Sequence, residues 1–139
     1  MTGIRSAAAA CALALMAFVT LGEARAAELL MFESADCVWC ARWDRDIGGT
    51  YDRTAEGRIA PLRRLQVRGA RPPGLVLKSP VVGTPTFVLV EADREVGRII
   101  GYPGQSAFWT QLDALLDKLP ENTRPKPSAP YEGLVRTGL

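Results

Sequence analysis

The cysteine pair Cys37 and Cys40 has the residue types and the spacing best suited to chemistry in this sequence. Residues three apart lie on one face of a helix, so their sulfur atoms can approach bonding distance. A helix start also offers free backbone N–H groups and a partial positive charge, which favour a thiolate. Because the thiolate is the reactive species, the spacing predicts a redox-active pair. In it, Cys37 attacks and the more buried Cys40 resolves the mixed disulfide.

Other uses of a C-x-x-C pair have weaker support. A zinc site needs a second pair of ligands, but the chain has no histidine and, besides Cys11, no further cysteine. The lack of histidine also excludes Cys–His and Ser–His–Asp catalysis. Two thiolates alone can bind Cu(I), so a copper- or zinc-binding thiol chaperone stays an alternative, as does a non-catalytic domain with an inert disulfide. We predict no metal and no cofactor besides the disulfide itself.

The second candidate feature is Thr84-Pro85, directly before an apolar run. Proline cannot lie inside a hydrogen-bonded ladder, so it marks the head of a strand. A cis bond here would expose the Thr84 backbone, whose N–H and C=O could pair with an extended substrate. Because only about 5–6% of X–Pro bonds in folded proteins are cis, this interpretation depends on the upstream cysteines rather than on the proline alone.

Three residues beside the cysteines are candidates for modulating or binding roles. Asp36 precedes Cys37, and a carboxylate that capped the helix there would occupy the free N–H groups and repel a second anion. Arg42 is near enough on the helix to attract the thiolate. Since a stabilised thiolate makes a strong oxidant, Asp36 favours a reducing pair and Arg42 opposes it. Trp39 is expected at the surface, either contacting a partner or shielding Cys40.

The surrounding patterns predict the elements that position these residues. An apolar run over 28–33 is typical of a buried strand, and a helix from Cys37 ends near Gly48-Gly49. The later patterns predict, in order, a short helical segment over 51–58, a strand over 62–67, a proline- and glycine-rich loop over 69–83 with at most one helical turn around 76–78, strands over 86–90 and 95–100, and an amphipathic helix over 106–119. A β-α-β unit followed by a hairpin and a helix predicts an α/β sandwich around a mixed sheet.

Several conspicuous side chains receive structural interpretations. The large aromatic residues of the predicted helices and strands are assigned to the core: Trp43, Phe87, Phe108 and Trp109. The paired arginines Arg63 and Arg64 are interpreted as a solvated strand edge. Tyr102, which follows the last strand, is a candidate for contact with a partner.

The first 26 residues have the features of a cleaved secretory signal. Arg5 supplies a positive start, residues 7–21 are an apolar run, and Ala24-Arg25-Ala26 is a small-residue cleavage pattern. The run is short for a span of about 20 residues, so an uncleaved membrane anchor is the weaker alternative. We expect cleavage near Ala26, a folded domain over 27–119 and a flexible proline-rich tail over 120–139.

The charge of the mature chain argues against two classes of binding partner. Cleavage removes Arg5, Glu23 and Arg25, which leaves 15 basic and 14 acidic side chains among 113 residues. This near balance gives no reason to expect binding to nucleic acid or to an anionic membrane surface. No stable membrane insertion is expected after cleavage. A protein disulfide therefore remains the expected partner of the cysteines.

Together these motifs resemble the thioredoxin superfamily over roughly residues 28–119, with a strand, a C-x-x-C at a helix start, and a T-P at the head of a later strand. Within it, five segments resemble the small periplasmic thioredoxin-like (SoxS-type) proteins encoded in bacterial sulfur-oxidation (Sox) gene clusters: 36–44, 56–58, 60–64, 84–90 and 101–104. The resemblance implies a three-layer α/β sandwich with a mixed four-stranded sheet. It also implies that Cys37 is the nucleophile, Cys40 the resolving thiol, and Pro85 a cis proline beside Thr84.

The resemblance further implies an activity and partners. Such proteins are thought to keep the cysteine of a periplasmic sulfur-carrier protein reduced, with electrons relayed by an inner-membrane thiol donor. We therefore expect a periplasmic thiol-disulfide oxidoreductase that acts as a reductant. A periplasmic disulfide oxidase or isomerase is the alternative.

The sequence departs from ordinary thioredoxins at three points. Val38-Trp39 stands between the cysteines in place of Gly-Pro, and Met31 occupies the strand position that is acidic in many thioredoxins. Glu33 or a water is then the expected replacement for the buried proton acceptor. Finally, the helix between the second and third strands has shrunk to the loop 69–83, so one face of the sheet is expected to be less covered.

Overall fold

The computed structural model describes residues 27–123. The predicted signal peptide and residues 124–139 of the predicted tail lie outside the described residues. None of the helices within 27–123 is long and apolar enough to cross a membrane. In chain order the elements are β1 (Glu28–Glu33), α1 (Val38–Trp43), a π-helical turn (Asp44–Gly48), a 3-10 turn (Tyr51–Arg53), α2 (Ala55–Ile59), β2 (Leu62–Gln66), β3 (Thr86–Glu91), β4 (Arg94–Ile100), α3 (Gln105–Leu116) and a 3-10 turn (Glu121–Thr123).

Every predicted strand and helix is present, with small shifts at the ends. The last helix ends at Leu116, earlier than the predicted Leu119, although Leu119 is buried as expected. The 3-10 turn Glu121–Thr123 lies within the predicted tail, where the Thr123 hydroxyl donates to Glu91 at 3.1 Å. No helical turn forms around 76–78, because Val76 instead forms a bridge with Arg94.

The sheet has four strands in the order β2-β1-β3-β4. Strands β1 and β2 are parallel, whereas β3 is antiparallel to both β1 and β4. The predicted β-α-β unit, hairpin and mixed sheet are therefore confirmed. The register places the ends of β1, β2 and β4 beside the start of β3, and we call this the carboxyl edge of β1. The residues that follow or precede these strand ends meet there.

One face of the sheet is covered by the helices and holds the main core. Trp43 of α1 is fully buried, with ring centroids 5.3 Å from Phe87 and 5.8 Å from Phe108. Trp109 is only partly buried and stacks on Tyr51 at 6.1 Å. The inward residues predicted for the last helix are all buried: Phe108, Leu112, Leu115, Leu116 and Leu119. The core assignment is therefore confirmed for Trp43, Phe87 and Phe108, whereas Trp109 packs against the core and is only partly buried.

On the other face, which was expected to be less covered, residues 67–83 lie over the strands in place of the missing helix. Three apolar side chains of this segment pack on the sheet: Leu75, Leu77 and Val81. Beneath them lie four buried strand residues: Leu30, Phe32, Val88 and Val90. The segment forms the third layer of the sandwich and delivers the chain to Thr84-Pro85 at the carboxyl edge of β1.

Polar contacts fix this covering segment to β4. The buried Glu95 carboxylate accepts from Arg98 Nη2 at 2.6 Å and from the Lys78 backbone N–H at 2.8 Å. Arg98 Nη2 also donates to the Ser79 carbonyl at 2.8 Å, and its Nη1 donates to the Pro80 carbonyl at 3.2 Å. We call Glu95 and Arg98 the β4 clamp, because this pair binds the backbone that leads to the active site.

Candidate active site

Cys37 directly precedes α1 and Cys40 lies in its first turn, at the carboxyl edge of β1. The Cys37 N–H donates to the Ser34 carbonyl at 3.2 Å, which closes the turn before the helix. The two cysteines form a disulfide, with their Cα atoms 5.2 Å apart. Cys40 is buried at 4% exposure, whereas Cys37 is partly exposed. Of the two sulfur-bearing residues, Cys37 is thus the one that an external partner can reach.

The N-cap of α1 is Cys37 itself. Its Sγ accepts the backbone N–H of Cys40 at 3.1 Å. The expectation that Asp36 caps the helix is wrong, because the helix starts one residue too late for its carboxylate to take that role. Asp36 is exposed and forms no hydrogen bond or ion pair with another residue in 27–123. It contributes a negative charge beside Cys37 without occupying the N–H groups of the helix.

Arg42 is tied to residues other than the cysteines. Its guanidinium lies 5.6 Å from the ring centroid of Trp39, and its Nε is 3.8 Å from Asp46 Oδ2. The same oxygen accepts from the Tyr102 hydroxyl at 2.9 Å. Burial, followed by this hydrogen bond and the charge of Asp46, raises the pKa of Tyr102 to about 12. The predicted attraction of Arg42 to a Cys37 thiolate therefore competes with its contacts to Asp46 and Trp39.

Two aromatic residues near the site have different exposures. Trp39 is 52% exposed, in agreement with the predicted surface position between the cysteines. Tyr102 is only 6% exposed. The interpretation of Tyr102 as a partner contact is wrong, because its ring lies in the core and its hydroxyl is bound to Asp46. Of these two aromatic residues, Trp39 is therefore the one exposed beside the disulfide.

Thr84 and Pro85 lie on the other side of the cysteine turn. Their peptide bond is cis, as the resemblance implied. The Thr84 hydroxyl is 3.1 Å from the hydroxyl of Ser34, so the two stretches of chain touch. The Pro85 carbonyl accepts from the Gly101 N–H at 2.8 Å. The contact between Ser34 and Thr84 places the Thr84–Pro85 turn at the same edge of the sheet as Cys37 and Cys40.

Below the site, Arg64 joins three elements. Its Nη1 donates to Glu33 of β1 at 2.7 Å, its Nη2 donates to Asp44 after α1, and its guanidinium lies 5.6 Å from the Trp43 ring centroid. The hydrogen bond to Asp44 is the largest cause that raises the pKa of Arg64. Arg63 and Arg64 are both exposed on the edge strand β2, as predicted, and Arg64 in addition forms ion pairs with Glu33 and Asp44. Glu33, expected as a replacement proton acceptor, is engaged in one of these ion pairs.

Sequence reasoning missed the roles of Arg64 and Asp46. Asp46 could have been found, since it stands four residues after Arg42, a spacing that favours an ion pair on a helix. Arg64 had no such local signal. Its position depends on the parallel pairing that sets it beside the buried Met31.

The chemistry of the site is that of sulfur. Within residues 27–123, no group of three or more His, Cys, Asp or Glu side chains is placed to hold a metal ion. A disulfide with one accessible and one buried cysteine can be opened by an external thiolate through a mixed disulfide, and the reduced pair can in turn reduce another disulfide. Thr84 contacts Ser34 in the turn that precedes Cys37.

Comparison with known proteins agrees with this geometry. No family model and no curated protein matches the chain. Among solved structures, the chain is similar to the crystal structure of the periplasmic thioredoxin SoxS from Paracoccus pantotrophus in its reduced form. The sequence identity is 52% and the TM-score 0.65, over 66% of this chain and 97% of that chain. The fold is therefore thioredoxin-like, and the protein is a thiol-disulfide oxidoreductase. This chain belongs to the SoxS-type thioredoxins.

Proposed function

We propose that this protein is a periplasmic reductant that keeps a cysteine of an exported sulfur-oxidation carrier protein reduced. The observation that carries the proposal is the Cys37–Cys40 disulfide, in which one cysteine is accessible and the other is buried. The similarity to a periplasmic thioredoxin SoxS supports both the compartment and the class of partner. The signal sequence predicted over residues 1–26 supports export.

In the proposed reaction, the reduced protein transfers two electrons to a disulfide of its partner. The Cys37 thiolate attacks one partner sulfur, and the other partner sulfur leaves and takes up a proton. The thiolate of Cys40 then attacks Cys37 in the mixed disulfide and releases the second partner thiol. The products are the Cys37–Cys40 disulfide and two thiols, one of which is the carrier cysteine. A thiol donor in the inner membrane supplies the two electrons that regenerate the reduced pair.

Three features near Cys37 affect the direction of electron flow. The negative charge of Asp36 disfavours the thiolate, and the pairing of Arg42 with Asp46 weakens the attraction that Arg42 could exert on it. The N–H of Cys40 acts in the opposite sense, because it donates to the Cys37 sulfur. We expect the two charge effects to prevail. The reduction potential is then closer to the value of about −270 mV for thioredoxin than to about −120 mV for a strong oxidase.

Equilibration of the purified protein with glutathione buffers tests this direction. The fraction of protein with the disulfide is measured by alkylation of the free thiols and mass spectrometry. A potential below about −200 mV supports a reductant. A potential above about −150 mV contradicts it and favours the oxidase or isomerase alternative.

A trapping experiment tests the partner. The Cys40→Ser variant, expressed with its signal sequence, cannot resolve the mixed disulfide, so Cys37 stays attached to its partner. Mass spectrometry of the purified adducts is expected to identify an exported sulfur-carrier protein. The Cys37→Ser/Cys40→Ser double variant is the matched control and should capture nothing. If Cys40→Ser captures no exported protein, or only proteins unrelated to sulfur oxidation, the proposed partner is wrong.

A further inference from the structure

A groove of about 630 Å³ opens beside the active site. Three stretches of chain line it: the β1–α1 turn at 34–36, the exit of β2 at 66–68, and the segment 81–84 before β3. Ser34 and Thr84, whose hydroxyls touch, belong both to the groove and to the surroundings of the disulfide. The groove is therefore continuous with the redox site. Its volume lies within the range of about 300–1,000 Å³ that is typical of ligand sites.

One wall of the groove presents unpaired backbone. Among the residues that the structure describes, none is hydrogen-bonded to the backbone N–H or C=O groups of Val81, Val82 and Thr84. The ladder of β3 begins only at Thr86. An extended chain can add to such a wall as an extra strand. Val82, which is 91% exposed, adds an apolar side chain at the rim.

The charged side chains that line the groove are Arg68 and Asp36. Both are exposed, and Arg68, like Asp36, forms no hydrogen bond or ion pair with any residue between 27 and 123. The nearby Arg71 differs, since its guanidinium donates to the carbonyls of Val67 at 2.7 Å and Gln66 at 3.2 Å and so holds the turn that carries Arg68. The Arg68 guanidinium is thus on a braced turn and open to an external carboxylate, whose geometry it matches.

We propose that Arg68 selects substrates with an acidic side chain near the reacting cysteine, in the groove that an extended segment of the oxidised protein substrate enters to reach Cys37. The inference rests on the proposed function, because the substrate cysteine must reach Cys37. Asp36, directly before Cys37, repels a carboxylate next to the reacting sulfur. The acidic residue therefore lies farther along the segment, where the substrate backbone follows Val82 and Thr84 toward Arg68.

The test uses peptide disulfides of defined charge. Each peptide has one cysteine, which forms a disulfide with the neutral thiol mercaptoethanol. Each peptide also has a single Glu, Gln or Lys, and its position on either side of the cysteine is varied from one peptide to the next. The second-order rate constant for oxidation of the reduced protein is measured at low salt for the wild type, Arg68→Glu and Arg94→Glu. Arg94 is the matched control, because it lies at the opposite end of β4 from the active site.

At one or more positions, the wild type and Arg94→Glu are expected to react about three- to tenfold faster with the Glu peptide than with the Lys peptide. This range is expected when an attraction between exposed charges is replaced by a repulsion. In Arg68→Glu the preference should reverse, while the control Arg94→Glu reduces the neutral Gln peptides at the wild-type rate. Equal preferences in the wild type and Arg68→Glu overturn the groove assignment but leave the proposed function standing. Failure of every protein to reduce even the neutral peptides overturns both.

A second copy of this chain is the other occupant that the test can detect. In that case, sedimentation would show a wild-type dimer that Arg68→Glu dissociates, and the rates would show no preference for Glu over Lys. That combination contradicts substrate binding in the groove. A monomeric wild type with the expected charge preference supports it.

Discussion

On one face of the sheet, α1 and α3 bury an aromatic cluster around Trp43, whereas on the other face a single segment, 67–83, lies across the strands. The helical face is held by apolar packing. The covering segment adds only three apolar side chains and is fixed by the β4 clamp, in which Glu95 and Arg98 bind its backbone. The two faces therefore depend on different forces, even though they share one sheet.

The active site is assembled from both faces. Cys40 belongs to α1 and is buried in the helical face, three residues before Trp43. Thr84 and Pro85 follow the covering segment, whose path is set by the β4 clamp. We infer that packing of the helical face determines global stability and holds the disulfide. The polar contacts of the other face position the groove and the backbone proposed to bind the substrate.

The largest effect is expected from opening the helical face. Trp43→Ala should lower the free energy of unfolding by about 3–5 kcal/mol, since it removes a fully buried indole from contact with Phe87 and Phe108. The matched control is Trp39→Ala, which removes a half-exposed ring and should cost about 1 kcal/mol or less. Denaturant unfolding of both variants measures the difference. Similar losses for the two would contradict the role assigned to this core.

Breaking the β4 clamp should have the next largest effect. Glu95→Gln leaves the Arg98 guanidinium, only 13% exposed, without its counter-charge and should lower the free energy of unfolding by about 2–3 kcal/mol. Glu28→Gln, which affects the exposed pair with Arg63, is the control and should change stability by less than about 0.5 kcal/mol. Equal small effects would show that the covering segment does not depend on the clamp.

The clamp also predicts a pH dependence. The hydrogen bonds from Arg98, followed by that from the Lys78 N–H, lower the pKa of Glu95 below its ordinary value of 4.5, against an opposing effect of burial. The folded pKa is below the unfolded one, so the stabilisation is fully present above the unfolded pKa and is lost as the pH falls through the folded pKa. The stability difference between the wild type and Glu95→Gln should therefore shrink on acidification below about pH 4.5. A difference that does not vary with pH would rule out this linkage.

A smaller effect is expected from the apolar contacts of the covering segment. Leu77→Ala removes a partly buried side chain and should cost about 1–2 kcal/mol, compared with about 2–5 kcal/mol for Leu112→Ala in the fully buried helical face. Reduction of a peptide disulfide by Leu77→Ala should slow more than reduction of a small neutral disulfide, because Leu77 supports the path to the groove. Parallel losses for the two substrates would limit Leu77 to a structural role.

The smallest effect on stability is expected at Asp46, which contacts Arg42 and the Tyr102 hydroxyl on the helical face. Asp46→Asn should change the free energy of unfolding by less than about 1 kcal/mol, because its ion pair with Arg42 is long and exposed. It should free Arg42 to attract the Cys37 thiolate, and so raise the reduction potential by up to about 20 mV. Tyr102→Phe keeps the Asp46 charge and is the control. Equal shifts of the reduction potential in Asp46→Asn and Tyr102→Phe would mean that a change in packing, and not the charge of Asp46, causes the effect.

The elements could be predicted because their signals are local. The apolar run of β1, the glycines after α1 and the spacing of Cys37 and Cys40 depend on neighbouring residues only. The cap of α1 depends on where the helix starts, and a shift of one residue replaced Asp36 with Cys37. The bridging role of Arg64 and the groove at Arg68 join segments that are distant in sequence. Neither has a local pattern, so neither could be predicted without the strand pairing.

The measurement that most directly tests the central claim is a single turnover of the reduced protein with a peptide disulfide, stopped by alkylation and analysed by mass spectrometry. We predict one Cys37–Cys40 disulfide for each peptide disulfide reduced, with a Cys37-linked adduct accumulating in Cys40→Ser and no reaction in Cys37→Ser. If the peptide is reduced while Cys37 and Cys40 both remain alkylated thiols, or if Cys37→Ser reacts as fast as the wild type, this pair is not the redox centre.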